Sequence, residues 1–212
     1  EEKNEQSQNE SLNSINPGEG NKVASFLSFF FDLVKTFVIV MLIAFAIRYF
    51  VIQPFVVDGD SMLPTFINNE YLIAEKVSYD FKQPSRGDVV IFHYPKNPEI
   101  IYIKRVIGLP GEQVVIKENK VFIAESASAQ PKEINESYIP SSVQTEIFSQ
   151  TESGNELKVL LGNNEFFVLG DNREHSSDSR EWGVLPRANI IGRVWLTVTP
   201  LDRFKLWVAQ NY

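Results

Sequence analysis

The sequence predicts a mainly β protein: an antiparallel sheet or barrel-like domain carried behind one N-terminal transmembrane helix. Three observations support this. Charge nearly vanishes from an apolar run that starts at Val23. The helical period is gone after residue 54. From there, short β-rich runs alternate with turn formers, with no helical pattern between them.

Before the apolar run, residues 1–22 hold Glu1, Glu2, Glu5, Glu10 and Glu19 against Lys3 and Lys22, padded with Asn, Ser and Gln. Such a stretch cannot bury enough apolar surface to order itself, so it reads as an acidic disordered tail. Residues 23–53 then read as a membrane anchor. Only Asp32 and Lys35 are charged between Val23 and Ile47, at a spacing that lets them pair on one helix face. A helix over that stretch is about 37 Å long at ~1.5 Å per residue, against a hydrocarbon core of ~30 Å. Residues 36–47 offer no polar face, which excludes an amphipathic helix of a soluble core. Arg48 and Tyr49 mark an interface, and Pro54 is expected to stop the helix. Ala44-Phe45-Ala46 has the look of a processing site. The acidic leader and the length of the span nevertheless favour a retained anchor over a cleaved signal. Lys22, Lys35 and Arg48 code orientation only weakly.

The domain from 54 to 212 is long enough for a real core. Its expected strands are 71–77, 88–94, 100–107, 113–117, 120–124, 165–169 and 190–198. They are separated by Gln83-Pro84, Arg86-Gly87-Asp88, Leu109-Pro110-Gly111 and Glu118-Asn119. Residues 125–158 are rich in Ser, Glu and Gln and read as a long excursion or a small subdomain inserted between strands, and as mobile.

Composition narrows the function. The 212 residues carry 20 Lys+Arg against 27 Asp+Glu, two histidines and no cysteine. No disulfide, thiolate nucleophile or thiolate metal site is available, and two histidines leave little for zinc. A net charge of −7 argues against nucleic acid, which asks for a basic face. Neither metal nor cofactor is expected.

Three segments can carry chemistry. Residues 58–66, DGDSMLPTF, form a tight bend with a serine, which by itself is more often a turn former than a nucleophile. In the strand 100–107, Ile101, Ile103, Arg105 and Ile107 share one face, and Ile100, Tyr102, Lys104 and Val106 the other. Both faces are apolar, so burial on both sides is expected. Arg105 keeps its proton and must reach water or a carboxylate. Lys104 can instead lose it, and a neutral buried lysine is a competent general base. Alone, Lys104 is better explained by an edge-strand lysine reaching for solvent. Residues 170–183, GDNREHSSDSREWG, are too polar for a simple hairpin and can build a buried network of Asp171, Arg173, Asp178 and Arg180 with the Ser176 hydroxyl. The spacing does not fit a calcium-binding EF-hand.

Four boxes in order, GDSMLPTF (59–66), RGDVVIFHYP (86–95), YIKRVIGLPGE (102–112) and GDNREHSSDSREWG (170–183), behind a transmembrane segment resemble the bacterial type I signal peptidases, Gram-positive-like branch. These are membrane-anchored Ser–Lys proteases of the export pathway. The resemblance runs from about residue 24 to about 200. It implies Ser61 as nucleophile, Lys104 as general base, Ser176 orienting the Lys104 amine, an Asp178–Arg180 ion pair and a structural Asp171. It implies Val57 and Ile103 as linings of the small P1 and P3 pockets, and the Ser61 N–H as oxyanion donor. Gly59 stands where some relatives carry a second hydroxyl donor. Preprotein signal peptides cut after an A-x-A-type site are the implied substrate, with the catalytic domain extracytoplasmic on a single-pass anchor near the export machinery. An apolar strip of Val56, Val57, Met62 and Phe66 is expected to touch membrane lipid.

Rival readings are a Ser-His-Asp protease using His93 or His175, and an anchored β-domain that binds partners without catalysis. A LexA-like self-cleaving repressor shares the Ser–Lys chemistry, but no helix-turn-helix pattern precedes the β domain.

Overall fold

The computed structural model describes residues 17–148 and 156–207. They divide into two units, at Arg48 and Tyr49.

The first unit is a helix, α1, spanning Pro17–Ala46. It starts inside the stretch read as tail: proline is tolerated at a first helical position, and extending a helix that the apolar run already stabilises is cheap. Residues 1–16 of that tail lie outside the described residues. The apolar part, Ser25–Ala46, is long and apolar enough to cross a membrane. Its Phe, Leu, Val and Ile side chains are exposed, which in water would be untenable for so large a surface. Regular helix ends at Ala46, well before Pro54, and gives way to a π-helical turn at Ile47–Val51. Pro54 sits instead in β1 (Ile52–Val56), an edge strand, where a missing N–H costs no ladder bond.

The second unit is built on two antiparallel sheets. The larger contains β1, β2 (Tyr71–Glu75), β3 (Val89–Tyr94), β4 (Asn97–Gly108), β9 (Glu165–Leu169), β10 (Leu185–Pro186), β11 (Ile190–Thr199) and β12 (Lys205–Leu206). The order is β1-β2-β11-β3-β4-β9-β10, with β12 on β11. The smaller, ordered β7-β6-β5-β8, is made of β5 (Gln113–Lys117), β6 (Lys120–Ala124), β7 (Lys132–Glu133) and β8 (Glu156–Leu160). The insertion is therefore not a loose excursion: its ends supply two strands, and β8 pairs with β5 along Gln113↔Leu160 to Lys117↔Glu156. Residues 149–155 of it lie outside the described residues.

Three apolar clusters make the core. One of them packs Val57, Met62 and Phe66 against Leu72, Ala74, Ile91 and Val194. These three residues were expected to face lipid. They are buried because the turn after β1 folds back onto the sheet, and only Val56 remains exposed. Strand β4 also departs from expectation: Ile100 and Ile101 are exposed, and burial begins at Lys104, where the strand passes between β3 and β9.

Candidate active site

The serine bend is a closed loop. The Val57 N–H donates to Glu70 O and the Asn69 N–H to Val57 O, both at 2.9 Å, so the chain returns to the point where it left β1. Gly59 adopts φ +93°, a left-handed conformation that glycine takes at no steric cost, and its N–H donates to Asn68 Oδ1 at 3.0 Å. Met62 and Phe66 anchor the loop in the core, and the Phe66 N–H donates to Met62 O at 2.9 Å. Ser61 is thus held half-buried between Asp60, which is exposed, and Met62, which is buried.

The lysine comes from the middle of the sheet. Lys104 lies opposite Val90 in the β3–β4 ladder and is 3% exposed. Its Nζ lies 2.9 Å from Ser61 Oγ and 3.0 Å from Ile103 O, and 5.0 Å from the centre of the Tyr102 ring. Burial drives its pKa down from 10.5 to about 8, against the opposing fields of Asp178 and Asp171. The serine and the lysine are 43 residues apart in sequence. Strand alternation alone decides that Lys104, and not Arg105, faces the serine.

Arg105 points the other way and finds its carboxylate. It is bidentate to Asp171, with Nε to Oδ1 at 2.8 Å and Nη2 to Oδ2 at 2.6 Å. Asp178 and Arg180 form the expected pair, with Nε to Oδ1 and Nη2 to Oδ2 both at 2.8 Å, and neither side chain is exposed. Asp178 also accepts the Gly170 N–H at 3.0 Å. The loop 170–183 reaches the serine loop through Asn172: its N–H donates to Ser61 O at 3.1 Å and its Nδ2 to Asp60 O at 3.0 Å. Gly170 admits this close approach, since a Cβ there would stand 2.1 Å from Ser176 Oγ and 2.5 Å from Ser61 O.

One expected contact is absent. Ser176 is buried, yet its hydroxyl has no hydrogen-bond partner among the described residues and does not bond Lys104 Nζ. It packs against Gly170, and it is the neighbouring Ser177 that lines the cleft beside Lys104. A polar run with two adjacent serines gives no sign of which one turns inward.

The cleft over Ser61 and Lys104 has a volume of about 460 Å³. Val57 and Ile103 both line it, along with Phe55, Leu72 and Ile91. These branched and aromatic side chains make most of the wall, with Asp58, Ser61, Lys104 and Ser177 as polar lining. Among the described residues, no group of three His, Cys, Asp or Glu side chains is placed to hold a metal. His93 is exposed and its Nδ1 bonds Pro98 O at 2.7 Å, while His175 is exposed, and neither ring bonds Ser61.

Sequence reasoning missed Asn172, Gly170, Ser177 and the insertion residues Glu136, Tyr138 and Thr145, which surround Arg173. Only the polar density of 170–183 pointed toward any of them.

Known proteins place the chain in a class of peptide hydrolases. The family "Signal peptidase, peptidase S26" matches residues 30–199, and the chain belongs to it. Its relatives are the type I enzymes. It is 39% identical over 177 residues to signal peptidase I of Leptolyngbya laminosa, covering 80% of each chain. It is 34% identical to signal peptidase I P of Bacillus subtilis subsp. natto, covering 82% of this chain and 91% of the relative. To the probable signal peptidase I-1 of Synechocystis sp. it is 32% identical, covering 88% and 91%. A solved signal peptidase I from Enterococcus faecalis aligns with 53% of this chain and 97% of its own, at 26% identity and a TM-score of 0.41.

Proposed function

We propose that this chain removes signal peptides from exported preproteins by cutting after a small residue of an A-x-A-type site, with Ser61 as nucleophile and Lys104 as general base. The observation that carries the reading is the 2.9 Å separation of Lys104 Nζ and Ser61 Oγ inside an apolar enclosure. A serine hydroxyl needs a base, and an amine whose pKa has fallen to about 8 is unprotonated often enough near neutrality to serve.

In the forward step, the lone pair of neutral Lys104 takes the Ser61 proton as Oγ attacks the scissile carbonyl. The resulting oxyanion faces the Ser61 N–H, which bonds no backbone acceptor among the described residues. Collapse breaks the C–N bond, and the ammonium returns its proton to the leaving amine. A water then enters and gives a proton to Lys104 as its oxygen attacks the ester carbonyl; collapse breaks the C–Oγ bond, and the ammonium returns the proton to Ser61 Oγ. Asp178 and Arg180 buttress the loop behind the amine. Asp171 fixes Arg105 and so the strand that carries Lys104. Val57 and Ile103 limit the side chains that fit beside the scissile bond.

The span Ser25–Ala46, about 33 Å as a helix, anchors the enzyme as a single-pass membrane protein. The resemblance to export proteases supports an extracytoplasmic catalytic domain in the neighbourhood of the export machinery, with exposed Val56 available to lipid. The test is cleavage of a preprotein with a defined A-x-A site by the full chain in detergent. Ser61→Ala and Lys104→Ala each abolish turnover while folding normally, and His93→Gln with His175→Gln retains it. Turnover by either alanine variant refutes the dyad. Loss of turnover in the histidine variant favours a Ser-His protease instead.

A further inference from the structure

Arg173 sits in the loop that carries Asp171 and Asp178, and its side chain is completely buried. A guanidinium has five N–H donors and cannot shed its charge, so each donor left without an acceptor in the interior is costly. Here all five are used. Nε donates to Gly170 O at 3.0 Å. Nη1 donates to Glu136 Oε2 at 2.9 Å and to Thr145 Oγ1, and Nη2 to Glu136 Oε1 and to Tyr138 OH at 3.1 Å. Four of these five acceptor bonds come from residues 136–145, in the insertion between the boxes.

The other two cations of this layer reach the same segment. Arg105 stacks on Tyr138 at 4.0 Å from the ring centre. Arg180 donates through Nη1 to Glu146 O at 3.1 Å and lies 4.4 Å from the Phe148 ring centre. From Arg173 the connection runs on to the nucleophile. Its carbonyl accepts Arg180 Nη2 at 2.7 Å, its Nε holds Gly170 O, and two residues along the Asn172 N–H holds Ser61 O.

We propose that Glu136 is a positioning residue of the active site: its carboxylate neutralises Arg173 and, through Gly170–Asn172, sets the backbone of Ser61. The inference rests on the Ser61–Lys104 reading for its kinetic consequence, but not for its structural one. Without Glu136 the guanidinium loses the carboxylate it hydrogen-bonds and two of its five bonds. The loop then shifts to recover acceptors, carrying Asn172 away from Ser61 O. A displacement of that kind lowers kcat more than it changes KM, because the cleft walls Val57, Leu72 and Ile91 belong to other elements.

The experiment compares full-chain wild type, Glu136→Ala and Glu136→Gln in detergent, with kcat referred to folded molecules and hydrogen exchange followed at the Asn172 amide. The expected result for alanine is a kcat lower by about tenfold or more, with KM for a short A-x-A peptide within about twofold, and Asn172 exchange faster by about tenfold. Glutamine, which keeps one acceptor, falls between. Should the alanine variant not fold, glutamine decides. Unchanged kcat and unchanged Asn172 protection in a folded variant overturn the proposal, as does a fall in kcat with Asn172 protection intact. If wild type itself fails to cut, the functional reading falls, and the exchange measurement still judges the positioning role.

Discussion

Replacing Lys104 by methionine should stabilise the protein at neutral pH while destroying the proposed base. In the unfolded chain the amine has an ordinary pKa of 10.5, and in the folded protein burial holds it at about 8. At ~1.4 kcal/mol per tenfold change in proton affinity, keeping the ammonium folded below pH 8 costs about 3 kcal/mol. The sign follows from proton counting. Between about 8 and 10.5 the unfolded chain binds the extra proton, so the Lys104 contribution to wild-type stability rises with pH through that window and is flat on either side. Methionine keeps the stem in its apolar setting and removes the charge. It also leaves the Ser61 hydroxyl and Ile103 carbonyl without the amine, at about 1 kcal/mol. The net gain at pH 7 is therefore about 2 kcal/mol; it should vanish at about pH 10 and become a loss of about 1 kcal/mol above pH 10.5. Urea unfolding of full-length wild type and variant in non-ionic detergent, from pH 7 to 11, measures it. The β domain contains all three tryptophans, Trp182, Trp195 and Trp207, which supply the fluorescence signal. Other titrating groups cancel in the difference. A variant less stable than wild type at pH 7, or a difference that does not change across the window, refutes the claim that Lys104 is held in an environment hostile to its charge.

Three further outcomes follow from the same geometry. The kcat/KM of wild type should climb about tenfold between pH 7 and 9 and then level, tracking free amine with a pKa of about 8; a profile flat over that interval excludes Lys104 as base. Gly170→Ala should fold poorly or fold without activity, since its Cβ would meet Ser176 Oγ at 2.1 Å and Ser61 O at 2.5 Å; near wild-type turnover would show that the two loops are not locked together. Arg180→Met strands the Asp178 carboxylate in the interior and should lower unfolding free energy by about 3–5 kcal/mol, read by denaturant titration; a loss under 1 kcal/mol would mean that water or a rearranged Arg173 takes over.

Local chemistry fixes a good deal of this protein before any folding is considered. The abrupt loss of charge after Val23 writes an apolar helix long enough to cross a membrane, and period-two alternation sends Lys104 and Arg105 to opposite faces of one strand. The rule that an arginine must end on water or a carboxylate foretells a partner for Arg105, which proves to be Asp171. The pairing of Asp178 with Arg180 also lies within reach of such reasoning, since only Ser179 separates them. What pattern could not assign were contacts whose partners lie far along the chain: Arg105 with Asp171 across 66 residues, Asn172 with Asp60 across 112, Arg173 with Glu136 across 37. A polar residue in a polar stretch looks solvated until the sheets close over it. Glu136 and Tyr138 gave no sign of being structural, and Ser176 gave none of turning its hydroxyl away from the lysine. Val57, Met62 and Phe66 likewise looked like a surface strip until the loop folded back. Periodicity reports which side of its own element a side chain takes. Which element covers that side is set by sheet order and register, and these emerge only when backbone hydrogen bonding and burial are satisfied together across the whole domain.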